Sequence, residues 1–164
     1  MIGKSICFTG HRSISRRGRP ALLEKLRHTL RRAIDEGFTD FYAGGALGWD
    51  TYCALEVIAL RMEFNWIALH LVLPCAPEAQ TLHWTNRQKR RYQEIMQEAN
   101  TVEILSDDYT EKCMKRRNAK LVEYADCCIA YCLPEAYHSG TKQTVRMANE
   151  KGIPVINLAE DPAE

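Results

Sequence analysis

The chain has 164 residues, enough for one domain of the usual roughly 100–200 residues and tight for two. With 46% hydrophobic and 26% charged residues, nine Gly and six Pro, it has the composition of a folded globular protein, which excludes a mainly disordered or fibrous chain. Its 22 Lys and Arg against 21 Asp and Glu give a net charge of +1, so no global field draws in nucleic acid or an anionic membrane, and any anion affinity must be local.

Charge interrupts every apolar run well short of the ~20 residues of a membrane span, and the start MIGKSICFTG lacks the marks of a signal peptide. A cytoplasmic protein with no membrane partner is expected. The seven cysteines agree with a reducing compartment: their number is odd, and Cys127, Cys128 and Cys132 crowd one apolar run instead of forming a paired framework. No CxxC pair or Cys/His pair at finger spacing occurs, so no metal site is expected, and the thiols read as packing groups.

In chain order, Ser5 to Phe8 is a short apolar run ending at Thr9-Gly10, the pattern of a buried strand stopping in a turn. From about Pro20 to Glu36, apolar residues recur every three or four positions, predicting an amphipathic helix closed by Gly37. Phe38 to Ala43 reads as the next strand and runs into Gly44-Gly45-Ala46-Leu47-Gly48, after which a helix opens near Asp50, a residue type that caps free amides. That helix carries Ala54, Leu55, Ile58, Ala59 and Met62 and leads to the near-continuous apolar strand Trp66 to Leu73. A polar helix from about Trp84 to Ala99, a strand from Thr101 to Leu105, a helix from about Thr110 to Tyr124 and a strand from Asp126 to Leu133 follow. A helix from Thr141 to Lys151, closed by Gly152, and a strand from Pro154 to Leu158 complete the chain. The loops 106–111 and 133–140 are expected to be its mobile parts.

Strands alternating with helix-length segments predict an α/β fold: a single Rossmann-like three-layer domain over residues 1–164, a mainly parallel sheet with helices on both faces. Ligands of such sheets bind beyond the carboxyl ends of the strands. Three strand-to-helix loops lie there: Thr9-Gly10-His11-Arg12-Ser13, Gly44 to Asp50, and Ser139-Gly140-Thr141. Glycine permits close backbone approach and helix N-termini attract anions, so a phosphate suits these loops, with Arg12 as a forked donor. The spacing is neither GxGxxG nor GxxxxGK[ST], which disfavours classical dinucleotide dehydrogenases and P-loop enzymes. His11 is a candidate phosphate contact or acid-base group, while His70, inside an apolar strand, reads as a core histidine and His83 and His138 as loop residues. Trp49 and Trp84 are candidates to stack on a base, with core packing as the alternative. Asp50 reads as a cap that also orients its loop.

The strings FTGHRS, GGALGWDTYCA, PCAPEAQTLHW, RRNAKLVEYADCCIAYC and SGTKQTVRMANEKGIPVI together resemble the YpsA-like branch of the SLOG superfamily, which also holds the DNA-processing protein DprA and the LOG phosphoribohydrolases. The resemblance runs over nearly the whole chain. It implies a Rossmann-like fold with strand order 3-2-1-5-6, the short fourth strand beyond strand three, and a pocket for a nucleotide or nucleotide-derived small molecule, in a sensing or processing role and with no cofactor. The ligand-binding set it supports is Gly10, His11, Arg12, Gly44, Gly45, Ala46, Gly48, Asp50, Arg117, Asn118, Ser139, Gly140 and Thr141.

Similarity to the LOG enzymes implies a second reading, N-glycosidic hydrolysis of a nucleoside monophosphate. Their Arg-Lys pair matches Arg117-Asn118 and their Gly-Thr matches Gly140-Thr141, but their acidic residue falls on Thr144, which cannot stabilise positive charge on a ribose. Asp50 and Glu78 are the carboxylates left to substitute. Similarity to DprA implies a third reading, single-stranded nucleic-acid binding. The basic runs Arg87 to Arg91 and Lys115 to Arg117, with Trp84 and Tyr92 nearby, fit it, although charge on a helix is more often a solvated face. Pairing of copies through an exposed helix or sheet edge, giving a homo-oligomer, is left open.

Overall fold

The computed structural model describes residues 3–134 and 139–159. Twelve elements alternate in chain order: β1 (Lys4–Gly10), α1 (Arg19–Asp35), β2 (Phe38–Ala43), α2 (Trp49–Arg61), β3 (Ala68–Leu73), α3 (Pro77–Gln80), α4 (Asn86–Glu98), β4 (Thr101–Ile104), α5 (Cys113–Tyr124), β5 (Cys127–Tyr131), α6 (Gly140–Lys151) and β6 (Val155–Asn157). The six strands form one parallel sheet in the order β4-β3-β2-β1-β5-β6, as the resemblance implies.

Alternation along the strands builds two cores. In β1, Ile6 and Phe8 face one side and pack with Phe41, Leu69, Leu71 and Ile129 under α1, α2 and α4, whereas Cys7 faces the other side with Val72, Cys128 and Ala130 under α5 and α6. The chain builds outward from β1 to β4 with its helices on the first face. It then crosses back to place β5 on the opposite side of β1, which puts α5 and α6 on the second face. The reversal of strand order therefore lies between β1 and β5, where a sheet of this kind opens a crevice at its carboxyl edge.

Several local expectations shift. The strand after α2 starts at Ala68, not Trp66, and Met62 and Trp66 stand 89% and 60% exposed: the apolar spacing carried on beyond the last buried turn, ended at Leu60. The polar helix begins at Asn86, because Thr85 forms a reciprocal capping box with Gln88, and Trp84 precedes it. Residues 77–80 make a single extra turn that no periodicity announces. Gly37 and Gly152 follow their helices at φ of 100° and 85°, the left-handed conformation that ends a helix cheaply with glycine. Six of the seven cysteines are buried, and among the described residues none forms a disulfide. Among the described residues no helix is long and apolar enough to cross a membrane.

Candidate functional site

The loop after β1 is fixed by its backbone. His11 N–H donates to Tyr131 O at 3.3 Å and His11 O accepts from Trp49 N–H at 3.1 Å, so β1, β5 and the start of α2 are joined at one point. Gly10 allows this, since a methyl group there would overlap the Trp49 ring. Trp49 itself is fully buried and lies 5.5 Å from the Tyr131 ring, with its indole N–H 3.5 Å from Ile129 O. Its faces are used in packing, the alternative to offering one to a base.

Around that point a cavity of about 360 Å³ opens at the carboxyl edge, lined among others by Gly10, His11, Arg12, Ala46, Asp50, Arg117, Asn118, Ser139, Gly140 and Thr141. The three loops singled out in the sequence thus converge, joined by one face of α5. Gly45 and Gly48 open instead on a neighbouring groove of about 500 Å³, which also includes Arg12, Asp50 and Trp84. Gly44 stands behind the first cavity, its carbonyl accepting a hydrogen bond from Arg117 Nη1. His138 lies outside the described residues, as do residues 135–137 of the loop that contains it.

Arg117 is only 5% exposed. Its Nε donates to Asn118 Oδ1 at 2.8 Å. Among the described residues Nη2 makes no hydrogen bond, and Arg117 lines the cavity, so this nitrogen is the donor left for a ligand. Asp50 faces it across Gly44: a methyl group on Gly44 would meet Arg117 Nη1 at 2.5 Å and Asp50 Oδ2 at 2.9 Å. Burial raises the Asp50 carboxyl above the ordinary carboxylate range, while Arg117, the Ala46 amide and Arg12 pull it back.

Asp50 does not cap α2. Gly48, at φ 78°, is the residue before the helix, so Asp50 falls within the first turn and its carboxylate reaches back to accept from Ala46 N–H at 3.2 Å. Sequence reasoning recognised a loop-orienting Asp and misassigned its donor, because the left-handed Gly48 moves the helix start by two residues.

His11 holds one defined tautomer. Its Nε2 accepts the Leu133 amide proton at 2.9 Å, so the ring's own proton sits on Nδ1 and the imidazole is neutral. Burial, then the charge of Lys142, lowers its pKa. NMR titration should place His11 below the ordinary value of about 6.5. Because the folded value is depressed, the stability this contact contributes is complete above the unfolded value and is lost as pH falls through the folded one. A titration midpoint above 6.5 would mean that burial and Lys142 do not disfavour the charged ring here.

At the start of α6, Ser139 Oγ accepts from Lys142 N–H at 3.1 Å and caps the helix. Among the described residues the Gly140 and Thr141 amides have no protein acceptor, which leaves two donors and a positive helix end at the cavity. The Asn118 amide lies beside Gly140, 3.7 Å from where its Cβ would be. Thr144, at the position of the LOG carboxylate, is fully buried with its hydroxyl donating to Gly140 O at 2.9 Å. It has neither the charge nor the exposure for that task. Glu78 is exposed on α3, outside the residues that line either cavity.

Similarity to known proteins agrees with this layout. A 78-residue stretch is 32% identical to the UPF0398 protein SH1465 of Staphylococcus haemolyticus, covering 48% of the chain and 41% of that protein, so the chain aligns with less than half of that relative's length. Among solved structures, DNA processing protein A from Helicobacter pylori, determined for its single-stranded DNA binding mode, superposes with a TM-score of 0.64 at 18% identity, covering 93% of this chain and 64% of that one. The structural-genomics target TM1055 superposes with a TM-score of 0.56 at 17% identity, covering 93% and 72%. At such identities the two structures establish the fold alone. The family model described as the YspA SLOG family matches residues 6–155, nearly the whole chain, and the protein therefore belongs to this YpsA family of SLOG proteins.

Proposed function

We propose that the protein binds a nucleotide or nucleotide-derived small molecule, with a phosphate in the cavity between β1, α5 and α6. The observation that carries this reading is the set of donors aimed at one volume: the free amides of Gly140 and Thr141, Arg117 Nη2, the Arg12 guanidinium, and neutral His11 with its proton on Nδ1. Against them, among the described residues, stands one carboxylate, Asp50, already turned to Ala46. A site rich in fixed donors and poor in acceptors favours a phosphate over a neutral or cationic ligand.

Binding serves sensing or delivery more naturally than N-glycosidic hydrolysis here. Thr144 cannot act as the expected carboxylate, and Asp50, raised by burial and engaged with the loop, is poorly placed to replace it. Incubation with AMP should release no free adenine, and measurable release abolished by Arg117→Met would reverse this reading.

The direct test is a thermal-shift panel of nucleoside monophosphates and diphosphates. A ligand at 100 times its Kd adds about 2.7 kcal/mol, a rise in Tm of roughly 5–11 °C for a chain of this size. No stabilisation by any nucleotide at millimolar concentration would remove the proposal.

A further inference from the structure

The groove beside the cavity has a charge pattern that a mononucleotide leaves unexplained. Its walls, supplied by the loop after β1, the start of α2 and the start of α4, bring together Arg12, Arg16, Arg19, Arg87 and Arg91. Of these, only Arg91 has a carboxylate within 4.0 Å among the described residues, Glu94 at a loose 3.8 Å. Arg19 lies over the Tyr52 ring at 5.3 Å, gives Nη2 to Ile14 O at 2.9 Å, and keeps a buried Nε with no partner. Among the described residues the one carboxylate lining the groove is Asp50, which it shares with the cavity.

Like charges on a concave wall repel one another and are stabilised when an anion enters between them. The chain as a whole is nearly neutral at +1, so this local excess belongs to the groove and not to a uniformly basic surface. Trp84 and Tyr92, edge to face at 5.4 Å, add aromatic surface to the wall. Arg12 and Asp50 line both the cavity and the groove, and Arg12 is exposed. Ligand pockets span roughly 300–1,000 Å³, and the two volumes joined lie toward the upper end of that range.

We infer that the groove is the second half of the ligand site, receiving a distal phosphate and the sugar or base attached to it, so that the ligand is a nucleoside diphosphate bearing a further sugar or base. This rests on the phosphate-binding reading of the cavity. One phosphate sits against the start of α6 and Arg117, Arg12 spans the phosphate-phosphate link, and Arg16 and Arg87 neutralise the far side while Trp84 supplies a wall for the attached ring.

Calorimetric titration of the full chain with AMP, ADP-ribose and a short oligothymidylate tests it, using wild type and the double variant Arg16→Ala/Arg87→Ala. Both residues are exposed, so the variant should keep the wild-type Tm. ADP-ribose is expected to bind at least about tenfold more tightly than AMP. The double variant should erase that gain and leave AMP affinity unchanged. Equal affinities for the two ligands, or a variant that weakens AMP as much as ADP-ribose, would overturn the inference while leaving the phosphate cavity standing. Oligothymidylate binding more tightly than ADP-ribose would overturn it in favour of a nucleic-acid strand. Binding of none of the three would remove the underlying reading as well.

Discussion

Replacing Arg117 with methionine is expected to abolish nucleotide binding and to destabilise the fold by about 3–5 kcal/mol at neutral pH, the range for removing one member of a buried charge pair. Arg117 is almost fully buried, ties Gly44 O to Asn118, and is the nearest compensation for the buried Asp50 carboxylate. Without it, burial pushes the Asp50 carboxyl further up. The sign of the pH dependence follows: a carboxyl whose folded pKa is raised favours the fold below its unfolded value, about 3.9, and disfavours it as pH rises through the folded value. The Arg117→Met variant should therefore regain stability, relative to wild type, as pH is lowered from 7 toward 5. The double variant Arg117→Met/Asp50→Asn separates the roles. It should recover much of the stability in chemical denaturation, because no buried charge is stranded, and still fail to bind nucleotide in the thermal-shift panel. Full binding by the double variant would mean that Arg117 only supports the fold.

Gly10→Ala is expected to lower stability by about 3 kcal/mol, the upper end for overpacking a tight core, and Tm by roughly 6–12 °C. The added methyl would overlap three atoms of Trp49, which is fully buried between Tyr131 and the sheet and has no free space to move into. Trp49 also begins α2 and is bonded through its amide to His11 O. Any shift of the ring displaces His11 and Arg12 together, so nucleotide affinity should fall with stability. Chemical denaturation should show a lower midpoint at unchanged slope. Trp49→Phe should not rescue it, because phenylalanine keeps the Cβ, Cγ and Cδ1 that the added methyl would meet. A Gly10→Ala variant as stable as wild type would show that the ring is not held as tightly as its burial implies.

The elements legible in the sequence are those whose signal is local. The apolar runs of β1, β2, β3 and β5, the helical spacing of α1, α2, α5 and α6, and the glycines after α1 and α6 each carry their own cause within a few residues. The four-residue α3 left no trace because one turn has no periodicity to detect. Met62 and Trp66 misled for the opposite reason: apolar spacing continued after the neighbouring element had ended.

The site divides along the same line. The glycines and small polar residues that bring backbone amides to the carboxyl edge stand out in sequence, since few other residue types fit strand-to-helix turns that approach a ligand. The roles of Trp49, Asp50 and Arg117 do not, because each depends on a residue distant in the chain or on a backbone conformation: Gly10 above Trp49, the left-handed Gly48 ahead of Asp50, Gly44 between Asp50 and Arg117. The basic run 87–91 reads as one solvated helix face in sequence. In the fold Arg87 and Arg91 turn toward Arg12 and Arg16 across a groove, while Arg90 stays at the surface.

By itself the sequence determined the order of strands and helices along the chain, the near-neutral charge and the three turn-forming loops, because periodicity, composition and glycine placement act over short stretches. Only the tertiary structure decided which arginine is buried against Asp50, which tryptophan is core and which lines a groove, and that separate basic segments face one volume. Burial and electrostatic pairing are set by distances in space, and the crossing back of the chain between β4 and β5 is what brings α5 and α6 to the edge of β1.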